Sequence, residues 1–336
     1  MSFPFGKISP TILERIVFKY LGAKRADVIQ GPAKGEDAAI VRVGKDLMAL
    51  SCDPISGALK RIGWLVLNVS ANDVATRGVK PRWFLSTMML PKGTHVNLVR
   101  KICKEMHQAA MRLDIGIIGG HSEITPGIDH PLIIGFCIGV VEKGRYVTTG
   151  MARKGDDVIL TKGVGVEGTA ILASDRHKML LRKFDEEFVR RAESFYDRIS
   201  VVKDALTAFN LGGVSAMHDP TEGGVAGGLH ELADASGKGF EVYEDRFMTE
   251  PETLEICRFF KIDPLRLISS GSLLITCLPE MTDKILSKLY SIGINASSIG
   301  RITASPRRVI VKKSGVHRKL RRPLSDHLWV ALGRRF

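Results

Sequence analysis

Carboxylates beside glycines are the side chains that could most readily do chemistry in this chain of 336 residues. Asp37 lies in GPAKGEDAAIV, Asp53 in SCDPISG and Asp73 in SANDVATRG. Glu123 follows a double glycine in IIGGHSEITPG, and Asp219 precedes another in MHDPTEGG. Functional groups in α/β proteins collect at strand ends, where a rigid sheet holds the loops. The motifs therefore indicate one acidic site assembled from several loops.

Carboxylates that converge on one site repel one another unless a cation balances their charge. Mg²⁺ suits such a site, because it takes oxygen ligands and usually bridges carboxylates to substrate phosphates. Asp37 and Asp53 could instead be turn or capping residues, and His121 could be an ordinary loop histidine. Asp73 is harder to explain in that way, because it falls in an apolar helical stretch where an unpaired carboxylate is costly.

Two glycine-rich segments could supply the phosphate-binding half of the site. In DPTEGGVAGG four glycines interrupt a helical pattern, and each costs roughly 1 kcal/mol relative to alanine. Backbone N–H groups at a helix N-terminus form an anion cradle, so we expect Gly223 and Gly224 to face a phosphate. Gly227 and Gly228 would allow close helix packing. The second segment, TKGVGVEGTA, offers Lys162 as a phosphate partner but lacks the ending of a P-loop. Together they predict a Mg²⁺–nucleotide or other polyphosphate ligand.

The elements that must hold these loops form two mixed α/β halves. In the first half the patterns follow the order β-β-α-β-α-β-β, with helices expected over 59–78 and 94–113. A helix over 9–22 precedes them, because a serine, a proline at the first helical position and a closing glycine frame its apolar pattern. The second half again mixes strands with helices. We therefore predict an α/β (mixed α+β) fold with two domains, 1–145 and 146–336.

Composition narrows the class of protein. No apolar run approaches the eighteen or so residues needed to span a bilayer, and the N-terminus lacks the long apolar segment of a secretory signal. The five cysteines form no CxxC pair, which favours reduced thiols over a disulfide or zinc framework. We therefore expect a cytoplasmic protein without a membrane contact.

The net charge of +13 is concentrated near one end of the chain. Residues 307–336 hold ten Lys or Arg and one acid, Asp326, so they contribute +9 and the rest contributes +4. Such a tail can bind nucleic acid, an acidic partner protein or the protein's own acidic surface. No aromatic stacking motif, zinc finger or helix-turn-helix pattern accompanies it. A solvated or self-packing surface is favoured, a docking arm for a protein partner is the alternative, and nucleic-acid binding is not expected.

The motifs as an ordered set resemble the aminoimidazole ribonucleotide (AIR) synthetase superfamily. GEDAA, a strand ending at Asp53, NDVA, GGHSE, the glycine loop at Gly163, DPTEGG and SSGSLL follow in that family's order, from about Ile29 to Val311. The family includes the purine enzyme, the hydrogenase expression/formation factor HypE, thiamine-monophosphate kinase and selenophosphate synthetase. The likeness is greatest to HypE-type archaeal members. It implies an AIR-synthetase-like fold whose N-terminal halves pair in a homodimer, with ATP between the halves near that interface.

The resemblance also implies a role for each motif residue. The Mg²⁺ and triphosphate carboxylates would be Asp37, Asp53, Asp73 and Asp219. Catalytic groups would be Asp219, His121 and Glu123. Nucleotide-binding residues would be Gly31, Gly35, Asn72, Lys162, Gly163, Gly165, Gly223 and Gly224.

Two departures from the family bear on function. HypE proteins end in a reactive cysteine, whereas this sequence ends in LWVALGRRF and its last cysteine is Cys277, in an expected core strand. His121 stands where relatives usually have an acid, so either Glu123 takes over that role or fewer metal ions are bound. The leading hypothesis is an ATP- and Mg²⁺-dependent enzyme that phosphorylates an amide, carbonyl or phosphate oxygen of a small or protein-borne substrate. The alternatives are a transfer like that of thiamine-monophosphate kinase and an ATP-binding accessory protein without catalysis.

Overall fold

Two mixed sheets and their covering helices make up the computed structural model, which describes residues 5–333. The N-terminal sheet has six strands in the order β1-β2-β3-β6-β4-β5. Its strands are β1 Val28–Gln30, β2 Ala39–Val43, β3 Asp46–Ile55, β4 Pro81–Leu90, β5 Gly116–Ile124 and β6 Leu132–Val140. The α-helices of this half are α1 Pro10–Arg15, α2 Ile62–Ala75 and α3 Val96–Leu113. Strands β4 and β5 run parallel, as their crossover through α3 requires, and the other pairs are antiparallel.

Helix α2 is the centre of the N-terminal half. Every residue from Ile62 to Ala75 is buried, as expected of a helix that is apolar all round. It packs against β3, β6 and α3, and it also contacts the helix Val202–Leu211 (α7) of the second half. Since Asp73 lies in its last turn, this packing is what carries a carboxylate into the interior.

The C-terminal sheet has seven strands in the order β13-β12-β9-β11-β7-β10-β8. Its strands are β7 Asp157–Thr161, β8 Val214–His218, β9 Gly239–Tyr243, β10 Leu273–Cys277, β11 Ala296–Thr303, β12 Arg308–Val311 and β13 His317–Lys319. The α-helices of this half are α4 Val166–Asp175, α5 His177–Leu180, α6 Glu186–Glu193, α7 Val202–Leu211, α8 Gly224–Ser236, α9 Pro251–Phe260, α10 Thr282–Ser291 and α11 His327–Leu332. Only β12 and β9 pair in parallel among these strands.

The basic tail is largely part of this domain. Strand β12 pairs with β9, and β13 pairs with β12 at the edge of the sheet. Arg308 and Arg322 both pair with Asp234 of α8, and Lys312 pairs with Glu244. A deletion from residue 307 onward would therefore remove strands as well as charge. Residues 334–336 lie outside the described part of the chain.

The mixed α/β fold predicted from the sequence is confirmed, with corrections to element ends. The helix expected over 9–22 stops at Arg15 and continues as a single 3₁₀ turn over Val17–Lys19. Helix α8 begins at Gly224, because the preceding Gly223 adopts a left-handed conformation with φ +84°. Between residues 5 and 333, no helix combines the length and apolar character that crossing a membrane requires.

The contact between α2 and α3 leaves no room for a side chain at Gly63. A Cβ there would lie 2.3 Å from the carbonyl oxygen of Ile102 and 3.1 Å from the Cβ of Glu105. We expect Gly63→Ala to lower the free energy of unfolding by about 1–3 kcal/mol, because packed backbone must move. Denaturant unfolding followed by circular dichroism measures this change. Gly116→Ala is the matched control, since its Cβ would meet its nearest atom at 3.8 Å; equal losses in both variants would contradict the packing argument.

Candidate functional site

Four of the predicted aspartates gather where the two sheets meet. Asp53 lies on β3, Asp73 in the last turn of α2, Asp219 directly after β8, and Asp37 just before β2. The carboxyl of Asp73 shares a hydrogen bond with Asp53, and the charges of Asp219 and Asp37 act on it as well. The acidic motifs thus reach one place from both halves of the chain.

The two innermost carboxylates are short of partners. Both oxygens of Asp219 and the Oδ2 atom of Asp73 are buried without a hydrogen-bond donor, and the residues are only 1% and 3% exposed. Burial and the neighbouring carboxylates raise the pKa of Asp219 to about 8 and raise that of Asp73 well above its usual value. Buried polar atoms almost always find a partner, so these oxygens point to a missing cation or donor.

The donor set fits Mg²⁺ in a nucleotide site. Such an ion usually takes one or two carboxylates and completes its shell with waters and phosphate oxygens, which agrees with two unpartnered carboxylates. Across residues 5–333, no three or more His, Cys, Asp or Glu side chains are grouped so that they could hold a metal ion by themselves. The arrangement therefore favours an ion shared with a ligand over a metal enclosed by protein atoms alone.

A chain of buried ion pairs borders the aspartates. The guanidinium of Arg77 contacts Glu36 at 2.5 Å and Asp37 at 2.9 Å. Asp37 contacts Nδ1 of His218 at 2.7 Å, and Nε2 of His218 lies 3.0 Å from Glu231. Burial alone would raise the pKa of Asp37, but the positive charges of His218 and Arg77 outweigh burial, so the pKa is lowered. Asp37 is thus an ionised carboxylate that already has two cationic partners, unlike Asp73 and Asp219.

His218 is a charged member of this chain. Burial lowers its pKa, but the carboxylates of Asp37 and Glu231 outweigh burial and raise it to about 10. At neutral pH the ring therefore carries a proton and acts as a fixed cation beside Asp219. His218 is the last residue of β8, and Asp219, whose carboxylate has no donor, follows it directly in the sequence.

Arg77 ties the loop before β2 to the second half of the chain. Its side chain also donates to the hydroxyl of Thr149, while Glu36 accepts from the backbone N–H groups of Thr149 and Gly150. Sequence reasoning passed over Arg77, Glu36 and the pairing of His218. The sequence did contain a signal for Arg77, because this charged residue comes directly after an apolar helical stretch, four residues beyond Asp73.

The loop before α4 makes its polar contacts within the protein. The ammonium of Lys162 donates to the carbonyl oxygens of Arg198 and Ser200 and forms an ion pair with Asp204 at 3.1 Å. The N–H of Gly165 donates to Ser269, so that end of α4 is also occupied. Gly163 is required for packing, because a Cβ would lie 2.5 Å from the carbonyl oxygen of Met248.

Two N–H groups at the start of α8 have acceptors within the protein. The N–H of Gly223 donates to the carboxylate of Asp326 at 2.6 Å, and that of Gly224 donates to Thr221. The same carboxylate caps α11 by accepting from Leu328. An acidic side chain of the tail thus accepts hydrogen bonds where the sequence predicted a phosphate.

The remaining predicted nucleotide residues have packing roles in this structure. The amide of Asn72 donates to the carbonyl oxygen of Ile199 and accepts from the N–H of Val201, so it joins α2 to the second half. Gly35 has a φ of +71°, and a Cβ there would lie 2.4 Å from the carbonyl oxygen of Glu231. Gly31 lies in the same loop between β1 and β2.

His121 and Glu123 lie apart from the aspartates within one chain. Both are on β5, the exposed edge strand, and their side chains contact each other at 3.3 Å. Register places Asp53 level with Gly120 across two intervening strands. Three strand spacings separate them, roughly 14 Å. A single chain therefore does not bring this pair to the acidic site.

The unpartnered carboxyl of Asp219 predicts a pH-dependent stability in metal-free protein. Its pKa is about 8 in the folded chain and about 3.9 in an unfolded one. The stabilising contribution of this group is therefore full below about pH 4 and is lost as the pH rises through about 8. Asp219→Asn cannot ionise, so its melting temperature in EDTA should gain several degrees on the wild type between pH 5 and pH 8.5.

Asp245→Asn is the control for this measurement, because Asp245 is exposed. Its melting curve should stay parallel to that of the wild type over the same pH range. Parallel curves for Asp219→Asn as well would contradict the raised pKa of Asp219.

Comparison with known proteins shows the family of the chain. The N-terminal domain of AIR synthase related protein matches residues 35–141, and its C-terminal domain matches residues 153–313. A candidate hydrogenase expression/formation protein of Methanocaldococcus jannaschii is 26% identical over 328 residues, which cover 96% of this chain and 95% of that protein. The carbamoyl dehydratase HypE of Bradyrhizobium diazoefficiens is 28% identical over 281 residues, 81% of this chain and 79% of that one.

A solved structure of the hydrogenase maturation protein HypE in complex with ATP has the same fold. It superposes with a TM-score of 0.72 at 20% identity, covering 96% of each chain. Both domains of the family are thus matched in order, over most of the sequence and with the same architecture. The chain belongs to the AIR synthase-related family, and the relatives it resembles include HypE proteins.

Proposed function

We propose that this protein is an ATP- and Mg²⁺-dependent enzyme that activates an oxygen of a substrate by phosphorylation. One observation carries the proposal: Asp73 and Asp219 are buried, close to Asp53, and leave three oxygen atoms without a donor. Stable folded proteins rarely keep such oxygens unless a ligand completes them. A divalent cation bridged to a polyphosphate supplies what this site lacks.

The chain's own residues would hold and orient the ligand. Asp73 and Asp219 would hold Mg²⁺, with Asp53 beside them, and the ion would neutralise phosphate charge when bound. Asp37 would serve mainly to fix His218 and Arg77, since it already contacts both cations. Phosphoryl transfer depends largely on positioning and charge neutralisation, which a rigid network of buried ion pairs provides.

The relatives support nucleotide binding and bear on which group would accept the phosphate. One solved relative is a HypE in complex with ATP, and another relative is a carbamoyl dehydratase. We therefore propose an amide, carbonyl or phosphate oxygen of a small or protein-borne substrate as the acceptor. The division into domains 1–145 and 146–336 belongs to the same proposal, with the nucleotide between the two.

We also propose a homodimer formed along β5. This edge strand is exposed over its whole length, and Ile117, Ile118 and Ile124 are exposed on it. An apolar, unpaired sheet edge is a surface that proteins cover. Pairing of two copies here would also bring His121 and Glu123 into an interface, where they could serve a partner's site.

A charged substitution on the exposed edge strand β5 tests the proposed dimer. Ile118 is 55% exposed, so Ile118→Lys should leave the fold intact but oppose pairing through desolvation of the lysine. Light scattering on eluting protein should give the mass of two chains for the wild type and of one for the variant. Val43→Lys is the matched control, because Val43 is 54% exposed at the end of β2. A variant of unchanged mass would contradict the interface.

Calorimetry with a non-hydrolysable ATP analogue tests nucleotide binding. The wild type should bind it with Mg²⁺ present, and Asp219→Asn and Asp73→Asn should each weaken binding at least ~10-fold, as losses around a metal typically do. Asp245→Asn should bind as the wild type does. No binding by the wild type would refute the proposal. Binding without ADP formation in the presence of amide, carbonyl or phosphate acceptors would favour an ATP-binding accessory protein instead.

A further inference from the structure

The segment before α1 lies directly on the candidate site. The backbone N–H of Lys7 donates to the carboxylate of Glu222 at 2.5 Å, and its ammonium pairs with Glu231 at 2.9 Å. Gly6 allows this close approach, because a Cβ there would lie 2.6 Å from Glu222. Its φ of +105° also belongs to a region that side chains rarely adopt. The segment is therefore held against the loop that follows Asp219.

Lys7 extends the buried chain of charges to the surface. Glu231 joins it to His218, and the carboxylates of Asp37 and Asp53 also act on its ammonium. The Lys7 side chain is 49% exposed, whereas those of Arg77 and His218 are 0% and 2% exposed. Of the three cations in this chain of ion pairs, Lys7 is the one that a solute can reach.

A cavity of about 590 Å³ adjoins this ammonium. Lys7, Glu222, Gly223 and Glu231 line one side of it, and the tail from Arg322 to Asp326 lines another. This volume lies within the range of small-molecule sites. The cavity therefore gives a ligand access to the same ammonium that the acidic residues hold in place.

We propose that Lys7 binds the terminal phosphate of the nucleotide that the acidic site takes up. The inference rests on the proposed function, and it adds a residue outside the motifs. Acidic side chains alone repel a triphosphate, so the site needs a cation that can face the ligand as well as an ion between carboxylates and phosphates. Lys7 is placed for that role by its pairing with Glu231, and its three N–H donors suit a phosphate group.

A purely structural role for Lys7 makes a different prediction. A lysine that only fastens the N-terminal segment would affect every nucleotide equally, through the shape of the cavity. A lysine that contacts the terminal phosphate would matter for a triphosphate and much less for a diphosphate. The ratio of the two affinities separates the roles, and it does not depend on turnover.

The experiment compares binding of ADP and a non-hydrolysable ATP analogue, each with Mg²⁺, by calorimetry. Lys7→Gln should weaken binding of the ATP analogue about 10- to 100-fold, as loss of a charge-assisted hydrogen bond does, and should weaken ADP binding less than about 3-fold. Lys7→Arg keeps the charge and should recover part of the loss. Lys312→Gln is the matched control, because Lys312 also pairs with a glutamate, Glu244, but does not line the cavity.

Melting temperatures check that each variant is folded. Equal weakening of both ligands, or no change in either, would overturn the assignment of Lys7 while leaving the proposed function standing. If the wild type binds neither ligand, the proposed function fails and this inference fails with it. A selective loss for the ATP analogue that Lys7→Arg partly reverses would support it.

Discussion

The burial of unequal numbers of positive and negative charges governs this structure. Four aspartates and two glutamates meet where the two sheets join, and Arg77, His218 and Lys7 neutralise some of them. One oxygen of Asp73 and both oxygens of Asp219 remain without donors. An isolated buried charge is so costly that the group stays protonated or finds a partner. The fold therefore gathers more carboxylates than cations at this place, and a cationic ligand can balance the difference.

The polar residues around these carboxylates connect several elements of the fold. Arg77 joins the loop at residues 36–37 to Thr149, and His218 joins the same loop to Glu231 of α8. Asn72 joins α2 to the segment 199–201 by two hydrogen bonds. These contacts link elements from both halves of the chain. Asp73 and Asp219 consequently lie between elements that these contacts hold together.

Much of this could be predicted from local sequence, and the rest depended on contacts between distant residues. The apolar helix around Asp73 and the acidic motifs are local patterns, so both the fold class and the gathering of aspartates followed from them. The N–H groups of Gly165 and Gly223, which the sequence assigns to a nucleotide, donate instead to Ser269 and Asp326, and neither acceptor is near them in sequence. Likewise, nothing near Lys162 in sequence indicates that Asp204 holds its ammonium.

The carboxylate of Asp326 at the start of α8 has a consequence for how the protein is made. Helix α8 begins at residue 224, yet its capping group and the neighbouring strand β12 come roughly a hundred residues later. During synthesis a domain folds only after its contacts have emerged from the ribosome. The N-terminal sheet needs no strand beyond β6, whereas the C-terminal sheet is complete only once residues 308–319 are available. Until then strand β9 lacks one of its two neighbours, and the start of α8 lacks its carboxylate acceptor.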